Sequence, residues 1–126
     1  MTVRHVESHP HVAENLCRVA LMRGPLVYCI EQADNPGIDP RDVLITSSEE
    51  LRCSAFHRHD LLSGVTVLQL AAELSPPDET WSNRLYRTAS PMWKNQQRRR
   101  AAVTAIPYYA WANREPGRMQ VWLRAR

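Results

Sequence analysis

The sequence predicts an all-β fold: an antiparallel, jelly-roll-like β-sandwich of about seven to nine short strands with little helix. Three observations carry that expectation. Nine prolines and four glycines divide the 126 residues into short apolar runs, too brief for long helices. Several of those runs alternate apolar and polar side chains with the period of two that a half-buried strand requires. The chain holds no heptads, no internal repeat and no low-complexity tract.

Taken in order, Val3 to Val6 is a brief alternating strand, and Leu16 to Met22 alternates over seven residues. Arg23-Gly24-Pro25 turns or bulges the chain. Leu26 to Ile30 is almost continuously apolar, the composition of a strand covered on both faces. Ala33 to Pro40, with Asp34-Asn35-Pro36-Gly37, is a loop by composition. Val43 to Ile45 makes a short strand, and Ser47-Ser48-Glu49-Glu50 supplies a cap followed by acids, the signature of one helical turn. Leu51 to His57 alternates again. Gly64 to Leu74 is the longest clean strand, with Val65, Val67, Gln69, Ala71 and Glu73 opposing Thr66, Leu68, Leu70, Ala72 and Leu74. Pro76-Pro77-Asp78 ends it, and Trp81 to Trp93 reads as an extended excursion. Arg99 to Ile106 and Met119 to Leu123 close the series, joined through the turn-rich Asn113 to Gly117.

At 14.5 kDa, residues 1–126 are expected to form a single domain with a core large enough to need no disulfide or metal. That size argues against a large enzyme with its own deep cleft. No apolar run approaches the roughly 20 residues that span a bilayer, so no membrane partner is expected. The N-terminal residues mix charge and histidine without the apolar core of a signal peptide, and the odd set Cys17, Cys29 and Cys53 contains no CxxC pair. Together these point to a reducing cytoplasm. The net charge of +3 rests on 15 arginines and one lysine. Its only basic run, Arg98-Arg99-Arg100, leads into an apolar strand and reads as a solvated strand end, so no nucleic-acid partner is expected.

The sequence offers little recognisable catalytic chemistry. None of the glycines falls in a phosphate-cradling GxGxxG or GxxxxGK[ST] loop, and there is no GxSxG elbow. His9/His11 and His57/His59 each place two imidazoles on one strand face, yet no third ligand stands at close spacing, and no metal site is assigned. A glycosidase pair needs two carboxylates facing across a cleft; Glu31, Asp60 and Glu73 can be proposed, but any acidic sheet protein offers such candidates, and no catalytic residue is assigned. Cys29 sits in an apolar run and reads as a small core hydrophobe. The tryptophans are more informative. Trp81, Trp93 and Trp111, with Tyr108 and Tyr109, could stack on sugar rings, although large aromatics also dominate small cores. Pro107 breaks the strand before them, and Tyr109 and Trp111 are expected to share one face. Trp122, between Val121 and Leu123, reads as core.

Two segments resemble a known family. Arg23-Gly24-Pro25-Leu26-Val27-Tyr28-Cys29-Ile30-Glu31 with Asp34-Asn35, and Ile106-Pro107-Tyr108-Tyr109-Ala110-Trp111-Ala112-Asn113-Arg114 followed by Gly117, Met119, Val121, Trp122 and Leu123, are similar to blocks of glycoside hydrolase family 127, the β-L-arabinofuranosidase family. Glu115 stands where that family's second block has glycine. The resemblance implies a position as well as a fold. Members are much longer, with a helical (α/α) barrel that carries a cysteine nucleophile and zinc ligands, followed by β-sandwich domains. Neither Cys17, Cys29 nor Cys53 lies in a matching adjacent-cysteine motif, so no catalytic, cofactor or metal residue is carried over. The expected role is therefore a non-catalytic C-terminal domain that packs on a catalytic barrel or on a second copy of itself. A carbohydrate-binding module using surface aromatics is the alternative, followed by a basic nucleic-acid-binding domain using the arginines. The expected sugar or interdomain contacts are Tyr109, Trp111, Arg114, Trp81 and Trp93. Asn113-Arg114 either holds a turn or sends Arg114 to a carboxylate of a neighbouring domain.

Overall fold

In the computed structural model, residues 1–46, 52–89 and 97–125 are described, and they contain nine strands and several single 3-10 turns but no α-helix. The strands are β1 (Val3–Val6), β2 (Arg18–Arg23), β3 (Leu26–Glu31), β4 (Val43–Ile45), β5 (Cys53–Arg58), β6 (Val65–Leu74), β7 (Arg99–Pro107), β8 (Met119–Gln120) and β9 (Leu123–Ala125). The all-β expectation holds, with nine strands. The helical turn expected at Ser47 to Glu50 lies outside the described residues.

Local chemistry explains the elements. β2 and β3 form a hairpin in which Arg23 pairs with Leu26, leaving Gly24-Pro25 as a two-residue turn rather than a bulge. Gly24 takes φ +58°, and Pro25, locked near −65°, cannot follow with a second positive φ. Glycine first and proline second therefore suits a II′-type reversal, whose twist matches the strands it joins. Cys17 (φ +57°) occupies the left-handed region just before β2, so the strand starts at Arg18 and not at Leu16. Proline at 40 opens a single 3-10 turn capped by Asp39, whose carboxylate accepts from the Arg41 backbone N–H.

The strand pairing corrects the sandwich. β2 pairs with β9, β9 with β4, β4 with β6, β6 with β7, β7 with β3, and β3 returns to β2. Hydrogen bonding thus runs round a closed six-stranded barrel, while β1, β5 and β8 extend the wall beside β2, β6 and β3. The closing piece is short. The C-terminal segment, expected as one strand over Met119 to Leu123, divides into β8 and β9 on opposite sides of a bend at 121–122. β9 then inserts between β2 (antiparallel) and β4 (parallel), so that neither keeps an open edge there.

Alternation sorts the side chains into two cores. Leu21, Tyr28, Ile30, Leu68, Leu70, Val103 and Leu123 fill the barrel. A six-stranded barrel has no room for a ligand once side chains fill it. Tyr28 is buried among them and donates its hydroxyl to the Thr66 carbonyl at 3.0 Å. Cys29, Val67 and Ile106, the residues of opposite parity, form a second cluster outside the wall, covered by Leu61, Leu62, Ala110 and Met119. This is why Leu26 to Ile30 reads as a strand covered on both faces. Trp122, expected in the core, is only half-buried at the bend, and its neighbour Leu123 fills the barrel instead.

Candidate functional site

The two blocks that stand out in the sequence meet in space. At the end of β3, Glu31 and Asp34 are almost completely buried, with side-chain exposures of 2% and 5%. Arg114, from the loop after β7, reaches both: its Nη2 donates to Glu31 Oε2 at 2.9 Å and to Asp34 Oδ2 at 2.5 Å, and its Nη1 donates to Asp34 Oδ1. The carboxylates beside it hold the guanidinium proton more firmly than usual, the Asp34 hydrogen bonds first among the causes. Asn35 adds a neutral clasp. Its side-chain amide donates to the Glu31 and Thr104 carbonyls, both at 2.9 Å, and accepts from the Thr104 backbone N–H at 2.8 Å, tying the end of β3 to β7. Asn113 holds the adjoining turn by donating to the carbonyls of Ala110 and Trp111. Arg114 thus finds two carboxylates within its own chain.

Beside this clasp lies an exposed aromatic set. Residues 108–110 form a single 3-10 turn, in which positions three apart eclipse. Tyr108 therefore stacks on Trp111, with ring centroids 5.9 Å apart and planes 18° off parallel, and Tyr109 does not share a face with Trp111 as a continued strand would require. The three rings are exposed by 46%, 65% and 41% for Tyr108, Tyr109 and Trp111. Trp81 is elsewhere, half-buried under the Arg87 guanidinium at 4.0 Å from its ring centre, with Arg87 also bound to Asp78. Trp93 lies outside the described residues. Pattern reading missed Leu85 and Tyr86, which stand almost fully exposed beyond the Trp81–Arg87 contact; the only signal was two large apolar residues in a segment with no strand period.

The titratable groups singled out in the sequence are held by packing or pairing. Cys29 is buried, and burial, followed by the charges of Glu31 and Asp34, pushes its thiol up to about 12, so it is no nucleophile at neutral pH. His9/His11 and His57/His59 pack ring edge to ring face at 4.9 Å and 4.5 Å, and no group of three or more potential metal ligands occurs among the described residues. Glu73 sits on the outer wall with Arg98 at 3.8 Å, and Asp60 pairs with Arg58. A shallow groove of about 600 Å³ between β5 and β7, lined by Ser54, Gln69, Ala71 and Ala102, carries small side chains and two arginines but, among the described residues, no acid.

The described residues thus combine a filled barrel, a buried ionic clasp and an exposed aromatic set. The comparison with known proteins is specific. Residues 3–124 match the glycoside hydrolase family 127 C-terminal domain, and the chain belongs to that family. It is 36% identical to the non-reducing end β-L-arabinofuranosidase of Bifidobacterium longum subsp. longum, over 98% of this chain and 18% of that protein. Among solved structures, a GH127 β-L-arabinofuranosidase from Geobacillus stearothermophilus T6 superposes with a TM-score of 0.81 at 36% identity, covering all of this chain and 18% of that one. A second GH127 β-arabinofuranosidase gives 0.79 at 29% identity, with 100% and 17% coverage. The chain therefore spans less than one-fifth of the length of the relatives it matches.

Proposed function

We propose that this chain is a non-catalytic accessory domain of a β-L-arabinofuranosidase-like glycoside hydrolase, docking through its exposed aromatic set onto a catalytic domain or a second copy of itself. The observation that carries this reading is the exposure of Tyr108, Tyr109 and Trp111 on one short turn, with Tyr108 stacked on Trp111, next to a buried ionic clasp that anchors the loop after them. Aromatic anchors on a rigid element are the residues that dominate interfaces. The small share of each relative that the chain covers supports a larger partner. Cys17, Cys29 and Cys53 are all free thiols, which supports a cytoplasmic location.

The test is a chimera. This chain replaces the matching C-terminal segment of the Bifidobacterium relative, and the paired variants Tyr109→Ser and Trp111→Ser are made in the chimera and in the isolated chain. The expected result is unchanged melting of the isolated chain but separate, earlier melting of the domain in the variant chimera. Equal behaviour of variant and parent chimeras refutes docking through these rings. Titrating the isolated chain with arabinose oligosaccharides, followed by tryptophan fluorescence, tests the carbohydrate-binding alternative: a saturable response lost in Trp111→Ser supports it.

A further inference from the structure

We infer that the seam between β2 and β9 is a binding site for a small oxyanion of the phosphate or carboxylate class. In the antiparallel pairing of these strands, Arg18 stands directly opposite Arg124. Directly opposed residues project from the same face, and like charges placed so repel. Both arginines line one pocket of about 310 Å³, together with Arg98, Leu16 and Leu44. Among the described residues no acidic side chain lines it.

The arginines are anchored but not neutralised. Arg18 Nη1 donates to the Trp122 carbonyl at 3.1 Å, and Arg124 Nη2 donates to the Ser75 carbonyl at 2.9 Å. A backbone carbonyl fixes a guanidinium without cancelling its charge, and each fork has five N–H donors. Arg124 Nε is buried without a hydrogen-bond partner. Arg98 has one carboxylate, Glu73, at a long 3.8 Å. Asp42 feels the charge of Arg124, yet the two do not form an ion pair. Among the described residues, three arginines thus line a half-buried space beside one loosely held countercharge. An oxyanion placed between Arg18 and Arg124 would turn their repulsion into two charge-assisted contacts, the geometry for which arginine forks are suited.

The pocket volume lies at the bottom of the range for small-molecule sites, which fits an inorganic anion or a small monophosphate and excludes an extended oligosaccharide. Its position gives binding a consequence. The Ala125 N–H donates to the Cys17 carbonyl at 2.9 Å, so this seam closes the barrel at the last strand, and an anion there would tie β9 to β2. The inference is independent of the docking reading.

Inorganic phosphate is the probe. Amide shifts of the labelled chain are followed as phosphate replaces chloride at constant ionic strength. The expected result is saturable binding with a Kd on the order of 1 mM, with the largest shifts at Cys17 to Val19 and Leu123 to Ala125. Arg18→Met should weaken the affinity at least tenfold, and the remote Arg41→Met should leave it unchanged. Linear, unsaturated shifts, or shifts spread evenly over the arginine-rich surface, overturn the site, as does equal affinity in Arg18→Met. The shift map of the unsubstituted chain decides the matter if Arg18→Met folds poorly.

Discussion

Arg114→Met should cost this domain about 3 kcal/mol, near the lower end of the range for breaking a buried ion pair. The geometry sets that figure. Glu31 and Asp34 are 2% and 5% exposed, so removing the guanidinium strands two carboxylates that water cannot reach. Arg114 itself keeps 21% of its side chain in solvent, which places the loss at the lower rather than the upper end. Unfolding entropies near 2 cal/mol/K per residue make each kcal/mol worth about 4 °C in a chain of this length, so the melting temperature should fall by about 12 °C. Urea titration should show the midpoint moving with little change in slope, because the surface exposed on unfolding is unchanged. The same electrostatics requires a rescue. Replacing all three members, as Arg114→Met with Glu31→Gln and Asp34→Asn, removes the stranded charges and should recover at least half of the loss. A loss below about 1 kcal/mol, or a triple variant no better than the single one, would refute an electrostatic clasp.

Two further outcomes follow from single groups. Hydrogen bonding from Arg41 pulls the Asp39 carboxyl down to about 2. A depressed acid contributes stability that is present above its unfolded value near 3.8 and is lost as the pH falls through 2, so Asp39→Asn, which keeps the cap, should be slightly less stable than the parent at pH 7 and converge with it near pH 2 in melting experiments. Cys29, raised to about 12 by burial, contributes stability that is fully present below its unfolded value near 9 and declines as the pH rises toward 12. In the folded chain a thiol reagent should therefore modify exposed Cys17 readily and Cys29 only on unfolding; rapid labelling of Cys29 in the native state contradicts its place in the second core.

Much of the fold is legible in the residues because strand formation is a local matter. The alternation from Val65 to Leu74 and the two-faced apolar run of Leu26 to Ile30 state which side chains turn inward before any partner is known. Gly24-Pro25 marks its hairpin through backbone sterics alone. The candidate site is less legible. Tyr108, Tyr109 and Trp111 can be picked out as large aromatics, but whether they form core or surface depends on what the chain places beside them. The 3-10 turn that pairs Tyr108 with Trp111 overrides the alternation that would have set Tyr109 beside Trp111.

By itself the sequence determined an all-β chain, the extent of most strands and, through two motif blocks, membership of the glycoside hydrolase family 127 C-terminal domains. Tertiary structure alone decided that the sheet closes into a barrel, that Arg114 neutralises Glu31 and Asp34 some 80 residues away, and that Arg18 faces Arg124 across the closing seam. The division has one physical cause. Side-chain period and turn sterics are properties of neighbouring residues, whereas the order and register of strands come from long-range burial and pairing, which no stretch of chain encodes alone.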